Sequence, residues 1–368
     1  MGDICAFLSG GTPKIDIKEY WDGTIPFVSA ISMHNTYISD SNLHISEKGL
    51  KNGSKLLKKN NLLLLVRGSM LWKSIPVCLN ESDVAFNQDV KGIIPNDTTN
   101  NKFLLYWLKS KEQRLKYMVT GTGLGAGKLD TNDLLSMSVY APSMNEQDKI
   151  AKLLSLLDKR IATQNKIIED LKELKCAIIE KVYSEIQGKE YSYGQLFDVV
   201  NERNKQMEYS NILSASQEKG MVNRDDLNLD IQFERSNINT YKIVKKGDYV
   251  IHLRSFQGGF AFSDKLGVCS PAYTILRPNS ILEYGYLSNY FTSQRFIKSL
   301  VLVTYGIRDG RSINVDEWLR MKITIPPKEH QQYIVKVIGT FERKIEDEEA
   351  YAAQLSIQKQ YLLRKMFV

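Results

Sequence analysis

A chain of 368 residues is longer than one hydrophobic core usually organises, so two or more domains are expected. Its 43% hydrophobic and 25% charged residues are ordinary for a globular protein, and a formal charge of +7 permits a polyanionic partner without requiring one. No apolar run approaches the ~20 residues of a membrane span, no basic-then-apolar start reads as a secretory signal, and four scattered cysteines without a C-x-x-C pair suit free thiols in the cytoplasm.

Short β-type runs broken by turn residues open the chain, over 24–28, 62–66 and 90–94. A helical patch over 103–119 follows, then the glycine-rich loop TGTGLGAGK at 120–128, then a long helix after Pro142, over 145–186. From residue 187 the order recurs. Strands are expected over 249–253 and 273–276, a helical patch over 286–301, and a second long helix over 330–367.

The recurrence is a tandem duplication. At an offset of 184 residues, Pro142 meets Pro326, Gln147 meets Gln331, Ile150 meets Ile334, Lys175 meets Lys359 and Thr120 meets Thr304. Upstream the register drifts, yet Leu57-Lys-Lys-Asn-Asn61 still echoes Val244-Lys-Lys-Gly-Asp248. Residues 1–140 and 187–322 each carry three net positive charges, whereas the two helical stretches, 141–186 and 323–368, are nearly neutral. The charge therefore sits on the two globular parts.

Apolar residues of the first long helix fall at 150, 154, 157, 161, 168, 171, 178 and 182, in alternating steps of four and three. This narrow seam is a coiled-coil heptad, interrupted by Gln164 and Lys175; the second helix repeats it, with interruptions at Glu348 and Lys359. Antiparallel pairing about a pseudo-twofold avoids setting Lys175 against Lys359. The register that matches seam to seam has facing residue numbers summing to 523, with Lys175 opposite Glu348 and Gln164 opposite Lys359.

The glycine loop resembles two nucleotide-binding signatures and satisfies neither. Gly121-x-Gly123-x-x-Ala126 follows a helical patch instead of a buried strand, and Gly127-Lys128 lacks both the glycine five places earlier and a following Ser or Thr. Both copies share instead a loop of small and cationic residues, with Lys128 in one and Arg308 and Arg311 in the other, suited to polyanion contact. Ser270-Pro-Ala-Tyr273 approaches the base-holding element of amino-methyltransferases but lacks its second proline and any S-adenosylmethionine loop. No nucleophile–base pair or metal cluster stands out, so a non-enzyme without cofactor or metal is expected.

Taken together, Ser9-Gly-Gly-Thr-Pro-Lys14, Glu19-Tyr-Trp21, Ile25-Pro-Phe-Val-Ser29, Asn87-Gln-Asp-Val-Lys-Gly92 and Pro142-Ser-Met-Asn-Glu-Gln-Asp-Lys-Ile150, each in order before a long helix, resemble the specificity (HsdS) subunits of Type I restriction–modification systems. The resemblance covers essentially the whole chain. It implies an α+β fold with two duplicated mixed α/β target-recognition domains, 1–140 and 187–322, separated by two spacer helices, 141–186 and 323–368, forming an antiparallel coiled coil. It also implies that each domain reads one half of a bipartite site in double-stranded DNA. Two methyltransferase subunits, and restriction subunits, would bring S-adenosylmethionine and ATP chemistry. Relatives carry a short segment ahead of the first domain; here the Gly-Asp-Ile-Cys strand stands almost at Met1.

Expected DNA-facing cations are Arg67, Lys73 and Lys128 in the first domain and Arg254, Arg308 and Arg311 in the second. Ser32, His34, Trp72, Phe256, Gln257 and Tyr305 are the accompanying polar and stacking candidates. Two rivals are a methyltransferase-related polypeptide with its own catalysis, and a coiled-coil scaffold without DNA readout. The first needs a catalytic domain for which the duplication leaves no room; the second leaves the duplicated basic loops unexplained.

Overall fold

A computed structural model describes residues 1–123, 125–216, 219–227, 235–252, 259–305 and 312–367. The chain divides into two compact units: residues 1–165 with 350–368, and residues 166–349. The division runs through both long helices, so each globular part keeps the start of its own following helix and the end of the other one.

In unit 1 the main strands are β1 (Cys5–Ser9), β2 (Tyr37–Ile38), β3 (Leu62–Leu65), β4 (Arg67–Gly68), β5 (Val77–Asn80), β6 (Val90–Pro95), β7 (Thr120–Gly121) and β8 (Gly127–Lys128). Five form a mixed sheet in the order β1-β6-β3-β5-β2, antiparallel except for the parallel pair β2–β5. Every residue of β3 is buried, because both faces of this central strand are covered; that is why its sequence is continuous leucine instead of alternating. The helix Asn101–Ser110 packs against β5 and buries all of Phe103 to Leu108. A second sheet of Ile25–Val28, His44–Ile45, Leu56–Leu57 and Val84–Phe86 completes the unit.

Unit 2 contains β9 (Lys189–Ser192), β10 (Phe197–Val200), β11 (Tyr249–Ile251), β12 (Phe260–Phe262), β13 (Thr274–Pro278), β14 (Thr304–Tyr305), β15 (Ser312–Ile313) and β16 (Lys322–Ile325). Its four-stranded sheet, β10-β13-β11-β12, repeats β1-β6-β3-β5 strand for strand. The turn entering the central strand is duplicated too. Asn60 and Gly247 both adopt left-handed backbone, at φ of 65° and 93°, and each donates its N–H across the hairpin, to Asn80 and Ser263. The Leu57–Asn61 and Val244–Asp248 echo is thus one turn built twice.

The duplicated glutamines show why the helices start where they do. Gln147 is 1% exposed; its Oε1 accepts from the Asn100 N–H at 2.9 Å, and its Nε2 donates to the carbonyls of Thr98 and Pro142. Gln331 is equally buried, accepts from the Glu283 N–H at 2.8 Å and donates to Ile281 and Pro326. One side chain ties each long helix to the loop that caps the globular part before it.

The first long helix spans Met144–Ser184 and the second Lys328–Met366. Their seams are buried or half-buried at the heptad positions. Within each unit the two segments run antiparallel, as Asp158 pairs with Lys359 in unit 1, and Lys172 with Glu349 and Lys175 with Glu342 in unit 2. The expected register needs correction. Lys175 meets Glu342 at 2.8 Å, not Glu348, which lies six residues, or about 9 Å of rise, further along and pairs with Lys344. Lys359 likewise meets Asp158. The Lys175–Glu342 and Lys359–Asp158 pairs each sum to 517 and the 184 offset converts one into the other, while Lys172–Glu349 sums to 521, so the facing numbers fall short of 523. Both acids sit one residue off the seam, next to apolar Leu157 and Phe341, so each lysine reaches a flanking carboxylate.

Burial of Cys78 and Cys269 pushes both thiols up to about 12, and burial of Cys5 pushes it up to about 11; Cys176, on the first long helix, is exposed. Among the described residues no helix is long and apolar enough to cross a membrane, and no group of three His, Cys, Asp or Glu is placed to hold a metal.

Candidate nucleic-acid interface

The glycine loop of unit 1 is the tip of a small ribbon, ordered β7-β8-β4. Lys128 stands opposite Thr120 on one side and Arg67 on the other. Gly127 has to be glycine: a Cβ there would lie 2.6 Å from Val119 Cγ1 and 3.1 Å from Leu71 Cβ. Gly123 and Gly125, at φ of 80° and 76°, carry the reversal, closed by the Thr122 N–H donating to the Ala126 carbonyl. The loop is therefore a hairpin built for close backbone approach, which is what its glycines encode.

Trp72 ends a short 3-10 turn, Ser69–Trp72, and donates its indole N–H to the Gly125 carbonyl at 3.1 Å while remaining 52% exposed. An aromatic face is thereby held against the loop yet open to solvent. Lys73, the next residue, is exposed. Arg67 is 4.0 Å from Asp89, and Lys128 is 3.6 Å from Asp130; all four side chains are at least a quarter exposed. Such long, wet pairs are worth about 0–1 kcal/mol and leave both cations free to exchange partners.

Arg67, Trp72 and Lys128 are therefore gathered on one ribbon and its supporting turn, with Lys73 adjoining. Ser32 and His34 are not tied to it. Ser32 bonds Ser41 at 2.9 Å, and Ser41 in turn donates to the Phe27 carbonyl, which is a role within the fold; His34 is exposed. No hydrogen bond or ion pair among the described residues joins either of them to the ribbon.

Two further polar residues border the site. Thr12 donates to Gln88 at 2.7 Å, and both are exposed. Gln88 adjoins Asp89, whose carbonyl accepts the Val66 and Arg67 N–H groups. The signal lay in the Ser9–Lys14 and Asn87–Gly92 segments, but nothing in the linear sequence says that they meet.

In unit 2, β14 and β15 pair antiparallel as the counterpart of β7 and β8. Arg308 and Arg311 fall in the sequence between them, at 306–311, which lies outside the described residues, as do Arg254, Phe256 and Gln257; the Tyr305 side chain is likewise not described. His252, leading into that segment, is half-buried, and burial lowers its pKa. Arg277 is structural: it clasps the buried Asp248 carboxylate with Nε and Nη2, each at 2.9 Å.

Two α/β units share one strand order, the first carries a basic hairpin, and no constellation for bond chemistry stands among the described residues. The family model for the Type I restriction modification DNA specificity domain matches residues 1–173 and 188–356, and the chain belongs to that family, whose members are non-catalytic specificity components. It is 30% identical over 173 residues to the Type I restriction enzyme EcoR124I/EcoR124II specificity subunit of Escherichia coli, covering 46% of this chain and 42% of that one. It is 27% identical over 184 residues to the MjaVIII specificity subunit of Methanocaldococcus jannaschii, covering 50% of this chain and 41% of the relative. The matches thus span less than half of each relative's length. In fold the chain is similar to the S subunit of the M. genitalium Type I system (TM-score 0.58, 15% identity, 100% of this chain and 94% of that one). It is also similar to a chain from a study of Type I complex assembly and conformational transition (TM-score 0.61, 14% identity, 99% and 95%).

Proposed function

We propose that this chain is the DNA-reading subunit of an intracellular Type I restriction–modification complex, in which residues 1–140 and 187–322 each read one half of a bipartite duplex target. The observation carrying this is the unit 1 ribbon. Two loosely paired cations, Arg67 and Lys128, stand side by side on a glycine hairpin with a half-exposed tryptophan held against it. Arginine and lysine there position the phosphate backbone, and Arg67, Trp72, Thr12 and Gln88 are the groups able to reach base edges or stack. Arg254, Phe256, Gln257, Tyr305, Arg308 and Arg311 take the corresponding role in the second half. Ser32 and His34 stay as outlying candidates on the same globular part.

On this reading the paired helices set the number of unread base pairs between the half-sites and dock two methyltransferase subunits. Those subunits supply S-adenosylmethionine chemistry, and restriction subunits, where they join, supply cleavage. The test is binding of a duplex carrying the methylated sequence by the chain with its methyltransferase partner, across a salt series. Affinity should fall linearly with log salt, and Lys128→Ala should shallow that slope by about one unit without altering sequence preference. A slope unchanged in Lys128→Ala and in Arg67→Ala would overturn the assignment of this face.

A further inference from the structure

Ser270-Pro-Ala-Tyr273, which approaches a methyltransferase element in sequence, is in the fold the second copy of Asn87-Gln-Asp-Val90. The strands fix the correspondence. The left-handed turns at Asn60 and Gly247 align Leu62 of β3 with Tyr249 of β11, and these face Ile93 of β6 and Leu276 of β13. Asn87 and Ser270 stand the same distance before Ile93 and Leu276, and each opens a turn of one build. The Val90 N–H donates to the Asn87 carbonyl at 3.3 Å, and the Tyr273 N–H to the Ser270 carbonyl at 3.1 Å. Within each turn the first side chain accepts from the third residue's N–H: Asn87 Oδ1 from Asp89 at 3.2 Å, Ser270 Oγ from Ala272 at 3.3 Å. The second position, Gln88 or Pro271, is thereby held at an exposed corner, a place where proline is favoured.

In both halves this turn adjoins the expected DNA face. In unit 1 the Asp89 carbonyl accepts the Val66 and Arg67 N–H groups. In unit 2 the Tyr273 ring lies 6.1 Å from that of His252, which leads into the segment carrying Arg254, Phe256 and Gln257. What the corner presents differs between the halves. A Cβ on Gly10 would lie 2.3 Å from the Phe86 carbonyl oxygen, so glycine lets residues 9–12 run against the turn, and the Gly11 N–H donates to that carbonyl at 3.0 Å. Thr12 is thus brought to Gln88 and donates to its Oε1 at 2.7 Å; the Gln88 side chain makes no other hydrogen bond among the described residues. Oε1 keeps a lone pair beside the two protons of Nε2, the acceptor and donor that match N6–H and N7 of adenine. In unit 2 Val199 corresponds to Phe7, since they face Leu276 and Ile93, so Asn204 stands for Thr12; it is 2% exposed and its amide bonds the Tyr209 backbone. Pro271 carries no side-chain donor or acceptor and offers apolar contact alone, the kind a thymine methyl accepts.

Given the DNA-reading role of the two domains, we propose that the second position of this turn reads one base in each half-site. Gln88, positioned by Thr12, specifies adenine in the first, and Pro271 meets a thymine methyl in the second.

The test uses the chain with its methyltransferase partner, in competition among duplexes that each differ by one base pair from the sequence the wild type methylates. Gln88→Ala should lower discrimination at one adenine of the first half-site about five- to a hundredfold and leave the second half-site as it was. Thr12→Val should weaken the same discrimination while Thr12→Ser retains it; a packing role for the threonine methyl would give the reverse. Pro271→Gln, on a turn of the same build, should move the preference from thymine to adenine at one pair of the second half-site alone. Gln88 and Pro271 are exposed, so unfolding temperatures should stay within about 2 °C of wild type. Equal weakening on every duplex with a shallower salt slope would make the turn a phosphate contact and overturn the assignment. A preference unmoved in both Gln88→Ala and Pro271→Gln would overturn it too, as would one substitution altering both half-sites. Wild-type binding without sequence preference would instead overturn the DNA-reading role itself.

Discussion

Replacing Gln147 by methionine keeps the length of the side chain and removes all of its hydrogen bonding. Three groups lose their partner: the Asn100 N–H, and the Thr98 and Pro142 carbonyls. An unsatisfied buried group costs about 1–3 kcal/mol. These three are only partly buried, so water recovers some of the loss, and a net destabilisation of about 2–4 kcal/mol is expected. For a unit of this size, that lowers its unfolding temperature by about 4–16 °C. Gln331→Met removes the same three bonds in the other half. Calorimetry of both variants, with hydrogen exchange to identify which half opens first, should therefore give similar shifts located in opposite units. A shift below about 1 °C in both variants, or loss of protection in the same unit for both, would refute the idea that each glutamine is the bolt of its own half.

The seam ion pairs give a second expectation: Lys359→Met removes the ion-pair partner of the part-buried Asp158, leaving it the Tyr106 hydroxyl at 2.8 Å, and should cost about 3–5 kcal/mol in urea unfolding, whereas the double change Asp158→Leu with Lys359→Met should recover most of it. Thiol titration of the native chain should find Cys176 alone reactive, and all four cysteines in denaturant. Because Cys5, Cys78 and Cys269 have folded pKa values raised above 9, the unfolded state sheds their protons first, so stability should fall as pH rises from about 9 to 12; Cys78→Ala and Cys269→Ala should flatten that decline, as read by unfolding at fixed urea. Lys109 has the opposite sign. Burial lowers its pKa, so its penalty fades as pH rises toward the unfolded lysine value, and Lys109→Met should remove that upward trend.

Periodicity and repetition made most of the architecture legible. The 184 offset, the heptad seams and the continuous leucines of β3 each follow from one physical demand: burial of a stripe, or burial of two faces. The helix register is not legible in the seam, because the acids that meet its lysines lie outside it. Asp158 and Glu342 lie one residue off it, and only the reach of a lysine side chain brings them into play. In the basic hairpin, Gly127 and Lys128 could be read from composition and copy, while the contacts of Trp72 with Gly125 and of Thr12 with Gln88 join segments 53 and 76 residues apart, which no local pattern encodes. Ser32 reads in the sequence as a polar candidate like any other, and its hydroxyl is used within the fold.

The central claim is that two half-site readers are held at a distance set by the helix pair. Seven residues inserted after Asn165 and again after Glu349, positions related by the 184 offset, keep the heptad and lengthen both helices by about 10 Å. At ~3.4 Å per base pair, that is about three base pairs. Sequencing of modified adenines in cells expressing the altered chain with its methyltransferase partner reads the outcome directly. The account predicts the same two half-site sequences with a gap about three base pairs longer; methylation persisting at the original spacing would contradict it.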